Sequence, residues 1–260
     1  MNPKALPVIL PERNRLTPAL SPGALDVIKV TALLAMLADH INTVFLHPPV
    51  PELYMAGRMA FPLFVLVWAV NVNRTPERLQ HRATRLWIWA AVTQPVFALA
   101  FRQHHPWWAL NILFVFAGVT QLLALKHHAG IRGTIAGVML LAAMVCPLRP
   151  ASYGLPGILL ALSLAIIFSG ADRLRLPAVI IALVSLSALN GITHIAARPA
   201  ETLMFATLPT VLLPFVVLRA ARQLMPAGSA RFMPGGFFCA AYTGHLVLLG
   251  LMMSALSTAG

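Results

Sequence analysis

Apolar runs about as long as a bilayer is thick, separated by short basic or proline-bearing connections, limit this chain to one kind of architecture. The runs cover residues 24–46, 53–72, 84–101, 107–125, 133–148, 154–169, 176–197, 202–218 and 236–256. About 20 apolar residues carry a helix across the hydrocarbon core, and a backbone surrounded by lipid must satisfy its own hydrogen bonds. The prediction is an all-α, polytopic transmembrane helical bundle of about nine helices. His47-Pro48-Pro49, Arg102-Gln103-His104-His105-Pro106 and Arg149-Pro150 read as breaks between them. The fifth and sixth runs are short and are expected to tilt or to form a re-entrant pair. Only 10% of residues are charged, against about a quarter in a soluble domain, and no soluble domain is predicted.

Residues 1–23 form a polar, proline-rich segment without the apolar stretch of a signal peptide, and 24–260 a single transmembrane domain. The first run holds Asp26 and Lys29 and lacks a small-residue cleavage site, so it reads as a retained helix. Cys146 and Cys239 have no metal or redox spacing and read as core residues. The excess of 19 Lys and Arg over 7 Asp and Glu is assigned to cytoplasmic loops, not to nucleic acid. With the N-terminus in the cytoplasm, fourteen basic residues fall inside, from Lys4, Arg13 and Arg15 to Arg231, and only Arg102, Arg149 and Arg198 outside.

Ionisable groups within hydrocarbon are expensive and mark functional sites. Asp39 and His40 stand about 20 Å along the first helix from Asp26, at 1.5 Å per residue, in the outer half of the bundle. Arg58 enters the second helix from that side, Asn111 opens the fourth there, and Asn190 and His194 share one face of the seventh. Gln94 and His245 lie nearer mid-helix. Asp39 and His40 point about 100° apart and cannot orient each other, so one is expected to meet Arg58 and the other a cavity. On the inner side, Arg74, Arg78, Arg82 and Arg85 have helical spacing and form one predicted basic stripe, suited to anionic headgroups or to the phosphates of a cofactor.

Several segments resemble the TraX family of conjugative-pilus proteins: Leu25-Asp26-Val27-Ile28-Lys29, Ala38-Asp39-His40-Ile41 and Gly57-Arg58-Met59-Ala60-Phe61-Pro62-Leu63-Phe64. The resemblance runs on through Gln94-Pro95-Val96-Phe97 and Asn111-Ile112-Leu113-Phe114, and through Ser152-Tyr153-Gly154 and Tyr242-Thr243-Gly244-His245-Leu246. Ser152 stands where the family often has Asp, and Thr243 where it often has Pro. The resemblance implies a multi-pass protein of the bacterial inner membrane that acetylates the N-terminus of a pilin subunit. It also implies distant kinship with multispanning acyltransferases that use a histidine within the membrane. His40 is then the candidate catalytic residue, with Asp39 and Arg58 beside it and His245 second.

The chemistry suits these residue types. An N-terminal amine must lose a proton before it attacks an acyl carbon, and imidazole is a base of suitable strength; it could also carry the acyl group itself. Arg58, with Asn111 or Asn190, would stabilise an oxyanion. Acetyl-CoA is the expected donor, with Arg74, Arg78, Arg82 and Arg85 on its phosphates. Two alternatives are head-to-tail cyclisation of the pilin by the same outer site, which needs no cofactor, and a non-catalytic pilin chaperone.

Overall fold

A computed structural model describes residues 20–190, 197–234 and 236–259. Residues 1–19, with Lys4, Arg13 and Arg15, and the predicted site residue His194 lie outside the described residues. Eight helical bodies are present among the described residues, and no strand. They are α1 (Pro22–Phe45), α2 (Pro51–Arg74), α3 (Leu79–Ala100), α4 (Leu113–Leu148), α5 (Gly154–Ser169), α6 (Asp172–Ala188), α7 (Pro199–Leu224) and α8 (Phe237–Ala259).

Eight bodies are counted against the expected nine because predicted helices four and five run on as the two arms of α4, which reverses at Gly130. Gly130 adopts φ 54° and ψ −128° inside it, a conformation that glycine reaches without a Cβ clash. The two arms then pack closely. A Cβ at Gly137 would lie 2.8 Å from Leu122 Cα, and one at Gly118 would lie 2.9 Å from Leu141. Leu110 N–H donates to Pro147 C=O at 2.9 Å, closing the far end.

Local chemistry explains the other ends. Ser21 caps α1, its Oγ accepting from Ala24 N–H at 3.0 Å, and Pro22 occupies the first turn, where no N–H is needed. Pro51 opens α2 in the same way. Asn42 holds the intervening turn, donating to Val50 C=O and accepting from Val50 N–H. Tyr153, at φ 64°, starts α5, and Gly170, at φ 79°, ends it.

α2, α4, α7 and the Phe237–Ala255 stretch of α8 are long and apolar enough to cross a membrane, and α5 is a shorter apolar helix. Large apolar side chains line the outside of the bundle, including Leu34, Ile88, Met139, Val184, Phe215 and Leu251, all more than half exposed. A soluble monomer rarely shows so much contiguous apolar surface; lipid is the solvent that suits it.

The connections gather at two ends. At one end lie residues 46–50, 101–112 and 149–153. At the other, the last loop is tied to the start of α1. Asp26, fully buried, accepts from Phe232 N–H at 3.0 Å, Met233 N–H at 2.9 Å and Lys29 Nζ at 2.7 Å. Ser21 Oγ donates to Met225 C=O, and Gly23 N–H to Ser229 C=O.

Candidate functional site

A cavity of about 580 Å³ opens at the end of the bundle that carries the 46–50, 101–112 and 149–153 connections. Its position follows from one close helix contact. A Cβ on Gly57 would stand 2.4 Å from Asp39 Cβ, so α2 crosses α1 at a distance that only glycine permits. That contact sets Arg58 against Asp39. The Arg58 Nη2 donates to Asp39 Oδ1 at 2.5 Å and Nη1 to Asn190 Oδ1 at 2.8 Å. Its guanidinium carbon lies 4.1 Å from the centre of the Tyr54 ring, one helical turn earlier, a cation–π geometry. Only Nε lacks a hydrogen-bond partner.

The network continues outward from Arg58. Asn190 Nδ2 donates to Thr210 Oγ1 at 2.7 Å, and Thr210 donates to Ala206 C=O at 2.7 Å. Ala206 lies in a π-helical turn, Leu203–Thr207, a local widening often found at functional sites. Helices α1, α2 and α7 and the residue two past the end of α6 therefore meet through one largely buried arginine.

His40 sits on the neighbouring face of α1 and lines the same cavity. Its Nδ1 is 2.8 Å from His245 Nε2, across from α1 to α8. The two rings lie edge to edge and nearly coplanar, centroids 5.0 Å apart and planes 18° apart, and the Phe101 ring crosses His40 at 75° with centroids 4.9 Å apart. His245 Nδ1 lies 3.2 Å from Ala241 C=O. His105, in the 101–112 connection, also lines the cavity; burial and the adjacent His104 push its pKa below the ordinary value. Tyr153 stacks on Phe61 at 4.8 Å and forms the wall opposite.

With this geometry in hand, the comparisons with known proteins are decisive for kinship. The model of the TraX protein family matches residues 24–253. The chain is 38% identical over 234 residues to Protein TraX of Escherichia coli strain K12, covering 89% of this chain and 88% of that one. It is 39% identical over 236 residues to a second Escherichia coli Protein TraX, with the same coverage. The chain belongs to the TraX family. No solved structure matches it.

Set against the family resemblance, the structure brings Asp39, His40, Arg58 and His245 together, and Asn190 with them. Asn111 is elsewhere. It is fully buried, its Nδ2 donating to Ala90 C=O and Gln94 Oε1 at 2.9 Å each, its Oδ1 accepting from Leu113 N–H at 3.0 Å. Gln94 in turn donates to Ala109 C=O at 2.8 Å. Asn111 thus fastens the start of α4 to α3 and does not line the cavity. The family's polar position at Ser152 behaves similarly, its Oγ donating to Leu110 C=O at 2.7 Å.

The arginine stripe of the sequence analysis is broken. Arg74 ends α2, Arg78 lies in the 3-10 turn Pro76–Arg78, and Arg82 and Arg85 belong to α3. Thr75, at φ −142°, interrupts the helix between them. Arg74 donates to Leu20 C=O at 2.7 Å; Arg82 donates to Asn71 C=O at 2.5 Å and to Thr75 Oγ1. Burial, with Arg85 and Arg78 nearby, lowers the Arg82 pKa. Arg74 is also 14 residues along α2 from Ala60, about 21 Å at 1.5 Å per residue, at the end of the bundle away from the cavity. Arg78 and Arg85 lie near Arg82, while Arg74 and Arg82 each give donors to the protein's own backbone.

Tyr54, His105, Arg149 and Tyr153 line the cavity without having been singled out from the sequence. Tyr54 carried a readable signal, since it precedes Arg58 by four residues. Tyr153 carried another, lying inside a family-like segment just before a glycine.

Proposed function

We propose that this protein is a membrane-embedded acyltransferase of conjugative pilus biogenesis, acting on the N-terminal amine of a pilin subunit in the bacterial inner membrane. The observation that carries the proposal is His40 lining a cavity beside the Arg58–Asp39 pair, in a chain of the TraX family. The basic residues at the opposite end of the bundle support a cytoplasmic N-terminus and a cavity that opens to the outer side.

His40 takes a proton from the attacking amine as nitrogen bonds to the acyl carbonyl carbon. When the bond from that carbon to its leaving group breaks, His40 returns the proton to the leaving group. Arg58, which lines the same cavity, supplies the positive charge that meets the negative charge developing on the carbonyl oxygen. Asp39 holds Arg58 and is not the partner of His40.

The family resemblance favours N-acetylation. One observation favours a second reading, head-to-tail cyclisation of the pilin: Arg74 and Arg82 already bind the protein's own backbone, far from His40. A donor that is part of the pilin reaches the cavity without crossing the bundle.

Intact mass measurement of pilin co-expressed with the wild type or with His40→Ala separates these readings. A gain of one acetyl group that His40→Ala abolishes supports acetylation; loss of one water relative to the linear chain supports cyclisation. The same pilin mass with and without the protein would leave a chaperone role and refute both enzymatic readings.

A further inference from the structure

We infer that His245 is a positioning residue that fixes the tautomer of His40, leaving the His40 Nε2 bare toward the substrate. In its consequence for catalysis the inference rests on the acyl-transfer reading above; the tautomer itself does not.

One hydrogen-bonded chain sets the tautomer. A backbone carbonyl only accepts, so the contact of His245 Nδ1 with Ala241 C=O at 3.2 Å places a proton on Nδ1. In neutral His245 the other nitrogen, Nε2, is then an acceptor. Its neighbour at 2.8 Å, His40 Nδ1, must be the donor. Neutral His40 therefore carries its proton on Nδ1 and a lone pair on Nε2. The carbonyl of Ala241, four residues before His245 on α8, sets the protonation of a ring on α1.

The adjacent carboxylate does not do this work. Asp39 precedes His40 on the helix, points about 100° away and is held by Arg58. The His40 ring instead meets His245 edge to edge through its Nδ1 hydrogen bond, the planes 18° apart, with Phe101 packed against it at 75°. When Nε2 takes a proton from an amine, the Nδ1–H still has the His245 lone pair to meet, so the imidazolium keeps its hydrogen bond. A neutral histidine fills the place that a carboxylate fills in a serine-protease triad.

The test uses the full-length protein in lipid nanodiscs with 15N-labelled histidine, His40→Ala serving to assign the His40 signals. The wild type and His245→Gln, whose side-chain oxygen can accept from Nδ1–H, should show His40 protonated at Nδ1 and bare at Nε2. In His245→Ala that preference should be lost. Pilin modification should fall about 100-fold in His245→Ala, within the range for losing the support of a general base. His245→Gln should recover about tenfold of that loss, which loss of packing alone does not predict. A His40 protonated at Nε2 in the wild type, or glutamine and alanine variants equal in both readouts, would overturn the inference. The stated tautomers with no pilin modification in any sample would instead refute the acyl-transfer reading and leave the tautomer standing.

Discussion

Replacing Gly57 by alanine tests whether the site is assembled by a single helix contact. The added Cβ would stand 2.4 Å from Asp39 Cβ and 2.5 Å from Oδ1, where ordinary contacts begin at 3.4 Å. One helix must move by about 1 Å, a form of overpacking that costs about 1–3 kcal/mol. The displaced atoms belong to the Arg58–Asp39 pair, whose 2.5 Å bond tolerates no such shift. At about 2–4 °C per kcal/mol for a chain of this size, the unfolding midpoint in detergent should drop by about 2–12 °C. Pilin modification, measured by intact mass at a temperature where the variant stays folded, should fall by at least tenfold. Gly244→Ala is the control. It lies in α8 beside His245, yet nothing lies within 4 Å of its Cβ. In a helix interior that exchange is neutral or favourable by up to about 1 kcal/mol. If Gly57→Ala matched Gly244→Ala in both midpoint and modification, the claim that the close crossing positions Arg58 would be wrong.

Three further outcomes are expected. Asp39→Ala and Arg58→Ala should each destabilise by about 3–5 kcal/mol by leaving a buried charge unpaired, and the double variant by less than their sum; an additive double-mutant cycle in chemical denaturation would show that the pair is not coupled. Asn111→Ala should lower stability by about 1–3 kcal/mol, since Leu113 N–H loses its acceptor and Ala90 C=O and Gln94 Oε1 each lose a donor, while the protein that stays folded modifies pilin at the wild-type rate; lost activity at unchanged stability would return Asn111 to the catalytic set. Asp26→Ala should release the 225–234 loop, read as faster tryptic cleavage after Arg231, because two backbone N–H groups and Lys29 lose their acceptor; an unchanged cleavage rate would count against the clamp.

The helical, membrane-facing character of the chain was legible because apolar run length and sparse charge report on it directly. Asp39, His40 and Arg58 were legible for a related reason: charge inside an apolar run stands out. Their partners were less so. That His40 meets His245 across some 200 residues depends on which helices are neighbours, and hydropathy carries no such information. Asn111 looked like a candidate because it is polar at the mouth of a helix, yet amides there also serve to close backbone hydrogen bonds between helices. The arginine spacing suggested one stripe because Thr75-Pro76 is too short a break to disturb a four-residue rhythm on paper. Gly130 hid among helix formers, and only its backbone angles reveal that one apolar stretch turns back on itself.

The pairing of α1 with α8 has a consequence for the order of synthesis. His40 leaves the ribosome 205 residues before His245. While those residues are made, the nascent chain holds one half of the pair. Asp26 gathers Phe232 and Met233 to the start of α1, so α8 is tied to α1 at its near end as well as through the histidines at the far one. A newly made chain thus acquires the pair only once α8 has been made.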